Sequence, residues 1–142
     1  MNIVACSVLG LMLIAPFGGL WFHNNAQLKQ MGAQEDEFRS LFKEIEAQTA
    51  YRVLVTSGFR SNKEQARLHK QNSKNAKPGR SKHNHRLAMD INLVKFGQIV
   101  RKADSKELWL STGVPQIAKE KGFRWGGDFR SYHDPVHFEL RK

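Results

Sequence analysis

Apolar side chains between residues 27 and 48 recur at steps of three and four residues, with charged residues between them. The apolar positions are Leu28, Met31, Phe38, Leu41, Phe42 and Ile45. Because an α-helix turns once every 3.6 residues or so, this spacing places the apolar side chains along one face. The pattern therefore predicts a single amphipathic helix over residues 27–48.

Three other segments have the composition or the alternation that is typical of β-strands. Residues 51–56 are mostly aromatic or β-branched, which predicts a strand. Residues 87–93 alternate between large apolar side chains and small or polar ones such as Asp90, and residues 136–140 alternate in the same way. Because successive side chains of a strand point to opposite faces, each of these two segments predicts a strand with one apolar and one polar face.

Turn-forming residues separate these segments and indicate where further helices lie. A turn is predicted at residues 57–61, a helix over 62–71, a hairpin at Gly97 and a helix over 112–121. The polar, basic stretch 73–82 predicts a loop. Since strands and helices mix without regular βαβ spacing, we expect an α+β fold with a small antiparallel sheet flanked by helices.

The N-terminal segment carries no charge: the first basic or acidic residue is Lys29. Residues 3–22 are long enough to cross a bilayer as a helix, and Trp21 and Phe22 would suit its interface. This predicts a transmembrane anchor or a signal-arrest-release segment over residues 1–22, followed by a soluble domain over 23–142. The alternative is an apolar helix buried in the soluble fold.

Composition narrows the possible partners and excludes one kind of metal site. The 142 residues suffice for one compact domain, and the net charge of +10 favours an anionic partner such as nucleic acid, a membrane surface or an acidic wall polymer. Cys6 is the single cysteine, so neither an intramolecular disulfide nor a cysteine-based zinc site is available.

Two segments carry the side chains of a hydrolytic metal site. Asp90 and His137 lie on the polar faces of their predicted strands, and they can converge if those strands are neighbours. His83 precedes Asp90 by an odd number of residues, so the chain must turn at residues 84–86 to bring it to the same place. A catalytic zinc takes three protein ligands and leaves a fourth position for water, and a nearby carboxylate such as Asp134 can accept that water's proton.

Several ordered motifs give the chain a resemblance to a known family. They are Ser57-Gly58-Phe59-Arg60-Ser61, Glu64-Gln65, Ser81-x-His83, Ala88-x-Asp90, Gly122-Phe123-Arg124-Trp125-Gly126-Gly127-Asp128-Phe129 and Asp134-x-x-His137-Phe138-Glu139-Leu140. From about Phe38 onward the chain resembles the LAS-type zinc peptidases of the M15 family, with a LAS/Hedgehog-like domain. The most similar branch is that of the L-alanyl-D-glutamate endopeptidases found in phage endolysins.

The resemblance implies roles for the matching residues. His83, Asp90 and His137 would bind Zn²⁺, and Asp134 would act as general base and then as acid to the leaving amine. Arg60 would face the scissile carbonyl, where a fixed guanidinium stabilises developing negative charge.

Other positions have less definite roles. Ser81 and Trp125 are implied as substrate-pocket residues, although Trp125 could equally belong to the core. Glu139 shares a face with His137, which makes it a rival for the base, but we assign it to orienting a metal ligand. Arg86 stands where the family often has glycine, so the turn after His83 must accommodate a side chain.

The implied activity is zinc-dependent hydrolysis of the peptidoglycan stem peptide between L-Ala and D-Glu, as in an endolysin. One alternative is a D,D- or L,D-carboxypeptidase, in which basic residues 74–82 could receive a terminal carboxylate. Another is a non-catalytic wall-binding module that retains its metal, against which Asp134 and Arg60 argue. Nucleic-acid binding is suggested by charge alone, without a recognised motif.

We expect a monomer in the inner membrane, with its catalytic domain facing the periplasm or the cell wall. Release of the leader from the membrane would suit a lysis protein of a phage. Lys29 follows the predicted span and no basic residue precedes it, which by itself favours an inside C-terminus.

Overall fold

The computed structural model describes residues 16–142 of the chain, and its secondary structure mixes helices with short strands. The helices are α1 (Trp21–Lys29), α2 (Glu35–Gln48), α3 (Asn62–Gln71), α4 (Lys106–Ser111) and α5 (Val114–Glu120). The strands are β1 (Arg52–Ser57), β2 (Ala88–Lys95), β3 (Gln98–Val100), β4 (Phe123–Trp125) and β5 (His137–Leu140). A π-helical turn (Pro16–Leu20) and three 3₁₀ turns (Gly32–Gln34, Lys82–His85, Gly126–Asp128) complete the assignment.

The strands form one antiparallel sheet. Its order is β1-β2-β5-β4, and β3 pairs with β2 beside that path. The α+β class with a small antiparallel sheet is thereby confirmed, as is the hairpin at Gly97, which joins β2 to β3. Strand β4 was not predicted, because a strand of three residues is too short to show alternation.

The prediction of one continuous helix over residues 27–48 is wrong. Helix α1 ends at Lys29 and α2 begins at Glu35, with a 3₁₀ turn between them. Gly32 has φ of +57°, a left-handed conformation that ends a helix and that glycine adopts without steric cost. Acidic residues in the first turn of α2 then favour a new helix start, since they interact well with the positive end of the helix dipole.

Helix α1 is attached to the outer edge of the sheet. The His23 Nε2 donates to the Val55 carbonyl oxygen at 2.7 Å. The side-chain Nδ2 of Asn24 donates to the Val53 carbonyl oxygen at 2.7 Å, and its Oδ1 accepts from the backbone amide of Val55 at 3.0 Å. These bonds satisfy backbone groups of edge strand β1 that would otherwise need water. Helix α1 therefore crosses the predicted domain boundary between residues 22 and 23.

The predicted anchor falls largely on residues 1–15, which lie outside the described part of the chain. Within residues 16–142, no helix combines the length and the apolar character that crossing a bilayer requires.

The hydrophobic core lies between the sheet and helices α2, α4 and α5. The apolar stripe of α2 packs there against alternate residues of β2, together with Trp109 and the aromatic residues of β4 and β5. Because Met89, Ile91 and Leu93 point into this core, Asp90 lies on the opposite face of β2. The core thereby fixes the face on which the polar site can form.

Candidate metal centre

Asp90 and His137 are direct partners across two neighbouring strands. Strands β2 and β5 pair antiparallel with Asp90 opposite His137 and Ala88 opposite Glu139. The condition under which Asp90 and His137 can converge, that their strands are neighbours, is therefore met. Side chains directly opposite each other in an antiparallel pair lie about 5 Å apart at Cβ, so this register alone brings the carboxylate and the imidazole together.

A short 3₁₀ turn brings His83 back to the same face. Ser81 caps the turn by accepting a hydrogen bond from the His83 amide at 3.2 Å, and the Asn84 side chain closes the capping box. Arg86 then adopts φ of 58° and ψ of 29°, a left-handed conformation in which glycine is favoured. The chain can therefore resume as β2 with His83 beside Asp90.

Contacts of its own side chain support Arg86 in this unfavourable conformation. Its Nε donates to the Gln30 carbonyl oxygen at 2.9 Å, and its guanidinium lies 4.1 Å from the centroid of the Phe59 ring. A left-handed backbone costs a non-glycine residue about 1–2 kcal/mol, which a charge-assisted hydrogen bond and a cation–π contact can offset. The turn required by the sequence thus forms with arginine in place of glycine.

Three donor atoms converge at this point of the sheet. The Asp90 Oδ1 lies 3.1 Å from the His83 Nε2 and 3.0 Å from the His137 Nδ1. The ligand atoms of these three residues lie within 4.8 Å of one another, and no other such group of His, Cys, Asp or Glu occurs among residues 16–142. Two imidazoles and a carboxylate at this separation fit a tetrahedral zinc with one open position.

The second nitrogen of each imidazole is held by an acceptor. The His83 Nδ1 donates to the Gly58 carbonyl oxygen at 2.8 Å, and the His137 Nε2 donates to the Glu139 Oε2 at 2.8 Å. In the neutral ring this leaves the nitrogen that faces Asp90 with its lone pair free. Glu139 is held in turn by Arg124, whose Nη1 lies 2.9 Å from its Oε1. Such outer hydrogen bonds fix the tautomer and the orientation of metal ligands.

Asp90 is oriented by Arg60, and the side chains that hold Arg60 were not predicted as part of the site. The Arg60 Nη2 donates to the Asp90 Oδ2 at 2.9 Å, and its Nε donates to the Ser57 Oγ at 2.8 Å. Gln65 is buried, accepts from the Arg60 Nη1 at 3.4 Å, and donates to the Ala76 carbonyl oxygen. Ser57 and Gln65 belong to the motifs that carried the family resemblance, and that was the available signal for their importance.

Asp134 lies at the start of the turn that leads into β5. Its backbone carbonyl accepts from the His137 amide at 3.1 Å, and its own amide donates to the Gly126 carbonyl oxygen at 3.2 Å. A Cβ at Gly126 would lie 2.2 Å from the Asp134 carbonyl oxygen, so only glycine permits this close approach. The Asp134 Oδ1 is buried, and the Lys102 Nζ lies 3.2 Å from it.

Trp125 and Ser81, the two residues implied to line the substrate pocket, both form hydrogen bonds within the protein. Trp125 is 1% exposed, packs in the hydrophobic core and donates from its Nε1 to the Pro135 carbonyl oxygen at 2.7 Å. Of the two interpretations of Trp125, the structure therefore favours core packing. Ser81 is buried and uses its hydroxyl to cap the turn that carries His83.

Electrostatics favour a charged carboxylate at the centre. Burial would raise the pKa of Asp90, but the charges of both histidines and their hydrogen bonds outweigh burial and hold this pKa well below its usual range. Burial would lower the pKa of His137, but its hydrogen bonds to Asp90 and Glu139 raise it to about 9. Without metal, the site is thus a carboxylate beside a protonated imidazole.

We predict that zinc binding releases a proton at pH 7.5. The pKa of His137 is raised to about 9, and an imidazole must be neutral to bind a metal, so zinc has to displace this proton. Below pH 9 the affinity should rise by about tenfold per pH unit for one proton released. Calorimetry in buffers of different ionisation enthalpy measures the number released, and a value of zero would contradict the prediction.

Replacing Glu139 with glutamine should weaken zinc binding and leave the fold intact. The amide keeps the size of the side chain but loses the charge that fixes the His137 ring, and loss of such an outer partner weakens metal binding by about 10- to 100-fold. Competition with a fluorescent zinc chelator measures the affinity. The variant Glu120→Gln on α5 serves as the control, since that carboxylate lies outside the site and should leave the affinity unchanged.

Comparison with known proteins finds similar sequences and structures. The sequence model of an M15 peptidase family, described as D-alanyl-D-alanine carboxypeptidase, matches residues 74–140. The peptidoglycan L-alanyl-D-glutamate endopeptidase CwlK of Bacillus subtilis (strain 168) is 39% identical over 102 residues. That alignment covers 62% of this chain and 60% of CwlK, so the chain matches less than two thirds of the length of this relative.

Solved structures share the fold at lower sequence identity. The L-Ala D-Glu endopeptidase ChiX of Serratia marcescens superposes with a TM-score of 0.63 at 22% identity, covering 83% of this chain and 86% of ChiX. A D,D-pentapeptidase VanY mutant, solved in complex with Zn(II), gives a TM-score of 0.56 at 20% identity, covering 75% of this chain and 70% of that chain. At these identities the likeness concerns the fold.

Proposed function

We propose that this chain contains a domain of the M15 peptidase family and is a zinc-dependent peptidoglycan endopeptidase that hydrolyses the stem peptide between L-Ala and D-Glu. The observation that carries the proposal is the convergence of His83, Asp90 and His137 within 4.8 Å on the sheet. CwlK and ChiX, which are named for this bond, support the choice of substrate.

In this mechanism His83, Asp90 and His137 hold the metal and Asp134 moves the proton. Zinc, when bound, supplies a Lewis acid that polarises the scissile carbonyl and lowers the pKa of a water molecule. The Asp134 carboxylate accepts the proton of the attacking water and passes it to the leaving amine. Arg60 orients Asp90 through its Oδ2, and its guanidinium would stabilise a developing oxyanion.

A carboxypeptidase acting on the end of the stem peptide is the second candidate. The description of the matching family model and the VanY neighbours favour it. It would need a cation for the terminal carboxylate of the substrate, and the basic residues 74–82 could provide one. The non-catalytic alternative is disfavoured because Asp134 and Arg60 are both present at the site.

Digestion of purified sacculi distinguishes these activities. Mass spectrometry of the released fragments should show new N-termini at D-Glu if the endopeptidase proposal is correct. Release of free D-alanine or of another C-terminal residue would identify a carboxypeptidase instead. Absence of any fragment with the zinc-loaded chain would refute the proposed hydrolysis.

We further propose that the N-terminal segment holds the enzyme at the inner membrane, facing the wall, for phage-type lysis. Two exposed aromatic side chains at one end of the sheet support this proposal. Trp21 begins α1 beside Arg52, the first residue of β1, and Phe96 lies at the tip of the hairpin that follows β2 at the same end of the sheet. The metal centre lies at the other end of these strands, where Ser57 pairs with Asp90. A membrane at this aromatic end would leave the metal centre directed away from the bilayer. A monomer suffices for the activity, because one chain supplies all three metal-binding donors.

Charges introduced into the leader test this proposal in the full chain. The double substitution Leu11→Arg and Leu13→Arg should shift the protein from the membrane pellet to the supernatant, because each arginine at a helix centre costs about 3 kcal/mol of insertion. Digestion of sacculi by the variant should persist. Leu110→Arg, at an exposed leucine of α4, is the matched control and should remain in the pellet. Membrane retention of the double variant would contradict the anchor.

A further inference from the structure

An exposed cation lies beside the proposed general base. The Lys102 Nζ is 3.2 Å from the Asp134 Oδ1; the lysine side chain is 68% exposed, whereas that of Asp134 is 14% exposed. Arg60 and Arg124 are held by Asp90 and Glu139. Of these three cations, Lys102 is the most exposed, and it is the one that contacts the proposed base.

The loop that carries Lys102 is fixed to the core. The buried Trp109 donates from its Nε1 to the Arg101 carbonyl oxygen at 3.0 Å. The Arg101 amide donates to the Asp104 Oδ2 at 2.8 Å, and the Asp104 amide donates back to the Arg101 carbonyl oxygen at 3.0 Å. These bonds hold the backbone on both sides of Lys102, so its position at the rim of the site is set by the fold.

The proposed substrate brings a negative charge to the same place. In the peptidoglycan stem, D-Glu continues the chain through its side-chain carboxyl, so its α-carboxylate is free. That carboxylate is bonded to the carbon that carries the leaving nitrogen. Asp134 must reach this nitrogen to protonate it, which brings the Asp134 carboxylate close to the α-carboxylate of the substrate. Two negative charges close together repel each other unless a cation lies between them.

We propose that Lys102 binds the free α-carboxylate of the D-glutamate residue next to the scissile bond. This inference rests on the proposed endopeptidase function and specifies the substrate further. The ammonium group keeps its ion pair with Asp134 and turns an N–H toward the substrate, since it carries three donors on a flexible stem. Lys102 thereby selects stem peptides with a free α-carboxylate over those in which it is amidated.

Two substrates that differ only at this carboxylate test the proposal. One is a muramyl stem peptide containing D-Glu, and the other contains D-isoglutamine, in which the α-carboxylate is an amide. The zinc-loaded wild-type enzyme should favour the first substrate by about 10- to 100-fold in kcat/KM, the range expected for a hydrogen bond to a charged group. The Lys102→Met variant should lose this preference, and Lys102→Arg should retain most of it.

The outcomes separate this inference from the function on which it rests. A Lys102→Met variant that slows both substrates equally would show that Lys102 only positions Asp134, and an unchanged preference would also overturn the inference. The exposed Lys121→Met is the control and should behave as wild type. If the wild-type enzyme cleaves neither substrate between L-Ala and D-Glu, the proposed function itself fails.

Discussion

Replacing Asp134 with asparagine is expected to lower the rate of hydrolysis by about 10²- to 10⁴-fold, the usual contribution of a general base. The amide has nearly the same size, but it cannot accept the proton of the attacking water at neutral pH. Zinc should remain bound, because the donors that converge on one point are His83, Asp90 and His137. The measurement is kcat on sacculi together with zinc stoichiometry by elemental analysis.

The rival base provides the control for this experiment. Glu139 shares the face of His137, but its carboxylate is occupied by the His137 ring and by Arg124. At saturating zinc, Glu139→Gln should therefore keep far more activity than Asp134→Asn. Full activity of the asparagine variant would remove Asp134 from the role of base.

Replacing His83 with alanine is expected to remove zinc and, with it, hydrolysis. Loss of an outer hydrogen-bond partner alone weakens metal binding by about 10- to 100-fold, so loss of a direct ligand should exceed about 100-fold. The substitution also leaves the Gly58 carbonyl oxygen without its hydrogen-bond donor, which lowers the free energy of unfolding by about 1–3 kcal/mol. Zinc content after dialysis and thermal unfolding of the metal-free protein measure the two effects separately.

A neighbouring histidine offers a matched control. His85 belongs to the same 3₁₀ turn but is exposed and contacts the Gly79 carbonyl oxygen instead of the centre. His85→Ala should retain one zinc per chain. Unchanged zinc stoichiometry in His83→Ala would exclude His83 from the ligand set. A different residue would then have to be the third ligand beside Asp90 and His137.

Local patterns predicted most of the strands but not the ends of every helix. The alternation over residues 87–93 and 136–140 identified β2 and β5 because one face of each strand packs on the core. Periodicity failed over residues 27–48 because the stripe continues in phase through Gly32, where the backbone turns left-handed. Apolar spacing shows which face is buried and does not reveal a break within that face.

The identity of the candidate metal ligands was determined by the sequence itself. Strand parity assigned Asp90 and His137 to polar faces, and the odd spacing from His83 required a turn before β2, which the structure forms at Arg86. These inferences succeeded because the period of a strand is a local property of the chain.

Only the tertiary structure decided what surrounds those residues. Gly58 accepts from a histidine 25 positions away, Arg60 binds a carboxylate 30 positions away, and Lys102 approaches Asp134 from a separate loop. Such contacts depend on how the strands and loops pack together, and no local periodicity encodes that arrangement. The sequence thus determined which atoms could bind a metal, whereas the fold determined their orientation, their charge and the cation beside Asp134.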